Sequence, residues 1–484
     1  MTAAVFGRPT PSSARPWPWP VASGGHPCRR RRVAREDPVG SLSAAVPTRR
    51  LGAVPLLDER AAVRRLFDRL GLGARRGDVD GGVAAGFDAT LDRLLTEAPT
   101  PPADAPPLPL LPSVPADDPR RPGIEQQRSD QQRELKLWWL DRMSSVERPV
   151  QEKLTWLWHG HFATSEDKVP DPGLMLAQNR TLRARGTGSF RDLAAAMVVD
   201  PALVDWLDGQ LNRKGAPNEN LGRELLELFT LGVGHYSETD VRESARALTG
   251  WTLKDRDLSF APAKHDPGPK SVLGSTAPYD AVSLVELVVA RPDSARFVAG
   301  RLWARLVSAT PPDGAQLGRL VAAYGPGTST TALLRALATA PGFRDSSSAL
   351  VKQPVEWAVG LARAAGQPIG ALPDAQQRSL LAHLAKLGQV PFKPPNVGGW
   401  PPDAPYLTPS ATVHRLSVAR IVLATAPLPD APRGTNARLE WARSVLAIDS
   451  WSAGSRAALT GLADGDVRQL LIAAAVSPEY VVSG

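Results

Sequence analysis

Residues 217–234, Pro-Asn-Glu-Asn-Leu-Gly-Arg-Glu-Leu-Leu-Glu-Leu-Phe-Thr-Leu-Gly-Val-Gly, contain the signals that start, fill and end one helix. Asn218 or Asn220 can cap the first turn, and Glu219 lies where the helix dipole favours a negative charge. The leucines recur at helical spacing and occupy more than one face, which is typical of a helix buried on several sides. Gly232 can adopt the left-handed conformation that ends a helix. The first turns carry more polar side chains than capping requires, so this stretch is also a candidate site.

Helical patterns of the same kind occur on both sides of this stretch. They cover residues 130–146, 149–158, 173–184, 189–199, 201–211, 238–249, 281–290, 293–308, 314–324, 329–339, 351–365, 374–386, 411–425, 435–447, 455–462 and 465–476. Between residues 251 and 274, short β-prone runs alternate with polar turns, which indicates a hairpin or a small sheet. We therefore expect a mainly α fold, a multi-helix orthogonal bundle with a small β-hairpin or sheet insertion around residues 251–274.

Changes of composition along the chain predict five segments. Residues 1–55 are rich in Pro, Ser and Arg without an apolar period, which predicts a disordered basic tail. Residues 56–98 predict a helical pair, and residues 99–123 a Pro-rich linker, because ten prolines lie between residues 99 and 122. The main helical domain is expected over residues 124–425, with the C-terminal helices of residues 426–484 packed on it.

The charge of the chain is concentrated in the tail. The net charge is +8, and residues 1–55, with nine Arg and two acids, carry most of it. The rest of the chain is near neutral, so no nucleic acid is expected to bind the folded part. Cys28 is the only cysteine, which excludes an internal disulfide and a cysteine-based metal site.

The sequence contains no targeting signal that decides the cellular compartment. No apolar run approaches the ~20 residues of a membrane span, so no transmembrane segment is expected. The run Arg29–Arg32 resembles a twin-arginine signal, but residues 33–38 do not form the apolar region that such a signal requires. Without a visible signal peptide, the default location is cytoplasmic, and export remains an alternative if the assigned start codon is wrong.

The first candidate site is Trp158-His159-Gly160-His161-Phe162. On a continuous helix, His159 and His161 point about 200° apart and cannot reach one metal ion, whereas on an extended segment they share a face. Gly160 makes a helix end plausible at this point. Neutral imidazole is a common ligand for zinc, iron or copper. The alternative is two histidines in an aromatic wall, each with a hydrogen bond to the backbone or to a glutamate.

The second candidate is the polar cluster of the helix described first. Glu224 and Glu227 lie at i,i+3 on one helix face. Two carboxylates buried together need a cation or a shared proton, and Arg223 or a metal ion could supply the positive charge. The alternative is a capped, partly exposed helix with ordinary ion pairs.

Two further candidates lie in predicted loops. A loop His265 next to Asp266 can act as an oriented base or as a ligand pair, and it can equally form a surface turn. Prolines and glycines at 394–401 fix an irregular loop in which Trp400 either covers a pocket or fills the core. Lys352 and Glu356 lie at i,i+4, which is typical of an ion pair at a helix start.

These motifs together resemble a bacterial family, domain of unknown function 1800. The resemblance rests on Trp158–Ser165, Asn218–Gly232, Ala247–Trp251, His265–Gly268 with Lys270, Lys352–Glu356 and Pro394–Pro401, which occur in one order over roughly residues 60–425. It implies a fold and a site location rather than a reaction. It also implies a partner, because members are often encoded beside domain of unknown function 1501, a family that resembles alkaline phosphatases and sulfatases.

Two hypotheses for the function follow. In the first, the protein is a metal-assisted or acid–base hydrolase or transferase with one polar cleft. The catalytic residues of that cleft would be His159, His161, Glu219, Glu224 and His265. The binding residues would be Asn218, Asn220, Arg223, Asp266 and Trp400. A divalent metal ion, if one binds, would have His159, His161 and Glu224 as its ligands. In the alternative, the polar motifs tie helices together in a non-catalytic binding or assembly protein that works with a domain of unknown function 1501 protein. The elbow of α/β-hydrolases, the Walker loop, the dinucleotide-binding glycines and the zincin motif do not occur in the sequence.

Overall fold

A computed structural model describes residues 55–96 and 105–484 of the chain. The expected basic tail, apart from residue 55, and the first part of the Pro-rich linker lie outside these residues. The described residues all belong to one compact unit. Within the described ranges, no helix is long and apolar enough to cross a membrane.

The mainly α prediction is confirmed, since 59% of the structure is helical. The helices of the N-terminal half are α1 (Glu59–Arg69), α2 (Asp78–Ala85), α3 (Phe87–Thr96), α4 (Arg121–Ser145), α5 (Val150–His161), α6 (Pro172–Arg185), α7 (Phe190–Met197), α8 (Pro201–Trp206), α9 (Asn220–Glu224), α10 (Glu238–Ala247) and α11 (Ala281–Val289). Those of the C-terminal half are α12 (Pro292–Leu306), α13 (Gly314–Tyr324), α14 (Thr330–Ala338), α15 (Pro341–Arg344), α16 (Pro354–Ala365), α17 (Asp374–Lys386), α18 (Pro409–Ala424), α19 (Thr435–Val445), α20 (Ala453–Thr460), α21 (Val467–Ala475) and α22 (Pro478–Val481).

Short polar side chains begin many of these helices. Asp200 accepts a hydrogen bond from the Leu203 N–H at the start of α8, and Ser237 and Asp280 form capping boxes at α10 and α11. These contacts satisfy N–H groups that have no partner inside the helix. The frequent breaks that the prolines and glycines predict therefore coincide with local start signals.

The helix predicted over 219–231 is not uniform. After α9 the chain forms a π-helical turn (Leu225–Thr230), in which the Leu231 N–H donates to the carbonyl of Leu226 at 2.9 Å. Such turns are rare and contain one more residue than an α-helical turn. Leu225, Leu226 and Phe229 are fully buried, so the helix lies in the core.

The β insertion is confirmed, and it is longer than predicted. Antiparallel strands β1 (Trp251–Lys254) and β2 (Asp257–Phe260) form one hairpin, and β3 (Lys270–Val272) and β4 (Ser275–Ala277) form another. A third pair joins β5 (Leu350–Val351) to β6 (Val482–Ser483).

Two apolar clusters make up the core, and α5 contributes to both. Leu154 and Trp158 belong to the cluster that contains α1, α7, α11, α12 and the π-helical turn. Trp156 belongs to the cluster built by α4 and α16–α21. Residues 56–98 were expected to form a helical pair and contain three helices, α1 to α3. The C-terminal helices α19 to α21 contribute side chains to the second apolar cluster.

Candidate functional site

The two histidines of α5 lie on opposite sides of one continuous helix. Gly160 does not end the helix, which continues to His161, so the two imidazoles diverge as helical geometry requires. A close backbone approach explains Gly399, since a side chain at that position would meet the Gly160 carbonyl. Gly399 also has a φ of +79°, which favours glycine.

His159 lies in the second apolar cluster. Its ring contacts Trp139, Trp156, Phe392 and Trp400 at centroid distances of 5.4–6.2 Å. Its Nε2 accepts a hydrogen bond from the Phe392 N–H at 3.1 Å. Burial lowers its pKa to about 3, so the ring is neutral at physiological pH.

His161 lies in the first apolar cluster and contacts a different set of rings, which includes Phe162, Phe190 and Phe229. Its Nε2 is 2.9 Å from the Phe229 carbonyl, to which it donates as a neutral imidazole. That carbonyl lies near the end of the π-helical turn, where carbonyl groups lack partners within the helix. Burial, then the charge of Arg301, holds the pKa of His161 well below its usual range.

The expected metal ligands do not come together. Among residues 55–96 and 105–484, no group of three or more His, Cys, Asp or Glu side chains could hold a metal ion. His159 and His161 are engaged with backbone groups in separate clusters, and this separation is the physical reason that a site with Glu224 does not form. In the described part of the chain, no hydrogen bond or ion pair joins any two of His159, His161, Glu219, Glu224 and His265.

The start of α9 is a capped helix with ion pairs. Asn218 Oδ1 accepts from the Asn220 N–H at 3.0 Å. Arg223 binds Glu219 at 3.2 Å and Glu238 at 2.7 Å. These pairs are partly exposed, which corresponds to the structural alternative for this part of the cluster.

Glu224 and Glu227 differ from these exposed residues. Glu227 accepts a hydrogen bond from the Tyr236 hydroxyl at 2.5 Å. Burial, then the charge of Glu227, raises the pKa of Glu224 to about 7, against the opposing effect of Arg223. Glu224 is therefore a carboxyl group that can exchange a proton near neutral pH.

The His265–Asp266 loop is internally bonded. His265 Nδ1 lies 2.9 Å from the Thr249 carbonyl, and Asp266 pairs with Arg246 at 2.8 Å. Lys270 is fully buried and donates to the carbonyls of Asp266 and Tyr279 at 2.5 and 2.6 Å. These bonds hold the two hairpins of the insertion against the end of α10.

A charged cavity lies beside α5, at a point where three of the sequence motifs meet. Its volume is about 50 Å³. The lining contains Gly160 of α5, Lys352 and Glu356 at the start of α16, and Trp400 of the 394–401 loop. The charged residues that complete it are Asp68, Arg69, Lys153, Arg305 and Asp403.

Most of these charges are paired across the cavity. Lys352 binds Asp68 at 3.1 Å and Lys153 binds Glu356 at 2.8 Å, so the predicted Lys352–Glu356 pair is wrong: each residue has its partner on another helix. Burial opposes ionisation of Asp68, but Lys352 and Arg64 outweigh it and hold its pKa below the usual range. The Asp68 carboxylate therefore remains charged.

Arg69 and Arg305 supply the remaining positive charge. Arg69 donates to the carbonyls of Val307, Ser348 and Ser483. Arg305 donates through Nη2 to the Trp400 carbonyl at 2.6 Å, and within the described residues no carboxylate lies in ion-pair distance of it. With four cations and three carboxylates, the lining has one positive charge in excess.

Arg301 increases the positive potential next to this cavity. It lies one turn before Arg305 on α12, and both line an adjoining space with His161 and Gly160. Burial, then the charge of Arg305, lowers the pKa of Arg301 to about 9. Burial lowers the pKa of Arg305 as well, although Glu356 opposes this. The two arginines therefore raise the positive potential beside the cavity.

Sequence reasoning missed Asp68, Lys153, Arg301 and Arg305 as site residues. The available signal was the placement of charged side chains within apolar helical patterns, such as Lys153 between Val150 and Leu154. That signal does not identify which charges meet, because the partners are up to several hundred residues apart.

Comparison with known proteins gives the family. A family model described as "Protein of unknown function (DUF1800)" matches residues 65–482. The match extends beyond the motif region of roughly residues 60–425 and includes the C-terminal helices. No curated protein matches the chain, and no solved structure does. The chain belongs to the DUF1800 family.

Proposed function

We propose that this protein is a non-catalytic helical binding protein that holds a small anionic group, a carboxylate or a phosphate, in the cavity lined by Arg305, Lys153 and Lys352. The observation that carries the proposal is Arg305. Its side chain is partly buried, its guanidinium group donates to one backbone carbonyl, and no carboxylate of the described residues is within ion-pair distance. A bound anion would supply the missing negative charge.

Hydrogen-bond donors around the cavity support the same ligand class. The indole N–H of Trp400 is buried and has no acceptor among the described residues. Lysine and arginine side chains provide further donors, and a guanidinium group matches the geometry of a carboxylate or phosphate. An anion here would accept hydrogen bonds that Asp68 and Glu356, already paired with Lys352 and Lys153, do not accept.

The size of the cavity limits the ligand. A volume of about 50 Å³ gives room for only a few water molecules, since one water occupies about 10–15 Å³ by this measure. It is far below the roughly 300 Å³ of a drug-sized pocket. The ligand is therefore a small anion or the charged end of a larger molecule.

Isothermal titration of phosphate and of acetate at low ionic strength tests this proposal. We expect one site, whose affinity falls as NaCl is added because ions screen the attraction. Arg305→Gln should reduce affinity at least about tenfold, or about 1.4 kcal/mol. Arg296→Gln is the matched control, since it removes the same charge from an exposed position of α12. Equal affinities for Arg305→Gln and the unchanged protein would reject the proposal.

A second candidate function, acid–base catalysis, is favoured by Glu224. Its pKa of about 7 suits a general acid or base at neutral pH, and it lies next to Glu227, Tyr236 and a π-helical turn. The test is hydrolysis of nitrophenyl esters and phosphates by the protein and by Glu224→Gln, with Glu219→Gln as the partly exposed control just before the same helix. Turnover that Glu224→Gln leaves intact, or no turnover at all, would reject this candidate.

The resemblance to the family adds a proposal about partners. We propose that the protein works with a domain of unknown function 1501 protein, on the ground that the two families are often encoded side by side. Co-expression of the two chains, with an affinity tag on one of them, tests this. Recovery of a complex that survives size-exclusion chromatography is expected, and elution of two separate proteins would contradict it.

A further inference from the structure

Two histidines outside the sites described above face each other across a pair of helices. His383 of α17 and His414 of α18 have their Nδ1 atoms 3.1 Å apart. Their ring centroids are separated by 5.3 Å, and both side chains are half-buried. Because a neutral imidazole carries one N–H, one Nδ1 donates its proton and the other accepts it through its lone pair.

The separation of the two nitrogens is close to that of two ligands on one metal ion. A zinc–nitrogen bond of about 2.0–2.1 Å and a tetrahedral angle place two ligand nitrogens about 3.3 Å apart. A small rotation of either ring would therefore replace the shared proton with a metal ion. The histidine that donates through Nδ1 would carry its proton on Nε2 instead, so the pair would remain neutral.

The surroundings favour a nitrogen-binding metal ion. Serines lie one turn from the pair at Ser379, Ser410 and Ser417, and no carboxylate lies three or four residues from either histidine along its helix. Imidazole nitrogens without carboxylates suit zinc, nickel or copper, whereas magnesium and calcium require oxygen ligands.

We propose that His383 and His414 bind one divalent zinc, nickel or copper ion through their Nδ1 atoms, with water in the remaining coordination positions. No group of three ligands exists among the described residues, so this is an open two-histidine site on the protein surface. Binding would link α17 to α18, because each helix provides one ligand. It is independent of the anion cavity, whose lining contains neither histidine.

The experiment is calorimetric titration of Zn²⁺ into the full chain. All proteins carry His26→Ala and Cys28→Ser, because these two residues are further potential ligands in the N-terminal segment. His383→Ala and His414→Ala are the test variants, and His235→Ala is the matched control, since it removes a partly exposed histidine that faces Asp293 instead. Circular dichroism checks that each variant is folded, and titration of Mg²⁺ checks the metal preference.

We expect one Zn²⁺ per chain in the reference protein and in His235→Ala, and at least about a tenfold loss of affinity in each test variant. The electron paramagnetic resonance spectrum of bound Cu²⁺ should show coupling to two imidazole nitrogens, and either test variant should remove it. No Zn²⁺ binding below about 1 mM would overturn the proposal. Binding that neither test variant weakens would overturn it as well, and a test variant that fails to fold is replaced by the corresponding histidine-to-glutamine substitution.

Discussion

Replacement of His161 separates a structural role of this residue from a catalytic one. His161→Phe keeps an aromatic ring in the cluster but leaves the Phe229 carbonyl buried without a donor, because the hydrogen bond from His161 is lost. An unsatisfied buried polar group costs about 1–3 kcal/mol. His161→Ala also removes the ring, and loss of a buried aromatic side chain raises the total to about 4–8 kcal/mol.

The assay is urea unfolding followed by circular dichroism at pH 8, with linear extrapolation to water. At this pH histidine is neutral in the folded and unfolded chains. The difference in the free energy of unfolding between a variant and the unchanged protein therefore reports packing and hydrogen bonding alone. If both variants unfold with free energies within about 0.5 kcal/mol of the unchanged protein, the structural role is refuted. Equal losses for the two variants would refute the separate contribution of the buried ring. No loss in His161→Phe, with a loss in His161→Ala, would refute the separate contribution of the hydrogen bond.

The pH dependence of the free energy of unfolding is a second test of the structural role of His161. The folded-state pKa of His161 lies well below its usual value, so its stabilising contribution is complete above the unfolded pKa of about 6.5 and is lost as the pH falls below it. At pH 5 this loss reaches about 2 kcal/mol. His161→Phe lacks that loss, so the free-energy gap between it and the unchanged protein should shrink between pH 8 and pH 5. A constant gap would contradict the lowered pKa.

Three further predictions concern other buried residues. The pKa of Glu224 is raised to about 7, so its protonated carboxyl group stabilises the folded chain fully below the unfolded pKa of about 4.5, and this stabilisation is lost as the pH rises through 7. Between pH 5 and pH 8, the free energy of unfolding of Glu224→Gln should therefore rise by about 1–2 kcal/mol relative to that of the unchanged protein, after allowance for partial exposure. Glu152 is fully buried between Arg142 and Arg183, and urea unfolding of Glu152→Gln should show a loss of about 3–5 kcal/mol. Leu225→Ala should cost about 2–5 kcal/mol in the same assay, and a loss below about 1 kcal/mol would place the π-helical turn at the surface.

Local sequence signals predicted the helices well because caps, prolines and apolar periods act within a few residues. The π-helical turn was missed because the apolar stripe around Leu225 and Phe229 fits α-helical and π-helical turns alike. The strand pair between β5 and β6 was missed for a different reason. Leu350 pairs with Ser483, and two-residue strands carry no pattern of their own.

The candidate site was predicted less well, since its chemistry depends on contacts between distant segments. Spacing showed that His159 and His161 diverge on a helix, but Gly160 left the extended alternative open until the structure showed α5 to be continuous. The i,i+4 spacing also predicted an ion pair between Lys352 and Glu356, whereas in the folded chain Lys352 forms its ion pair with Asp68. Arg305 gave no local signal, because its importance depends on the partners that surround it.

Crystals soaked in bromide or selenate would test the anion-binding cavity most directly, through anomalous diffraction. The structure predicts an anomalous peak within hydrogen-bond distance of the Arg305 guanidinium group, in the space that Lys153, Lys352 and Trp400 also line. The peak should disappear in Arg305→Gln and remain in Arg296→Gln. Anions bound elsewhere, with none beside Arg305, would contradict the proposed function.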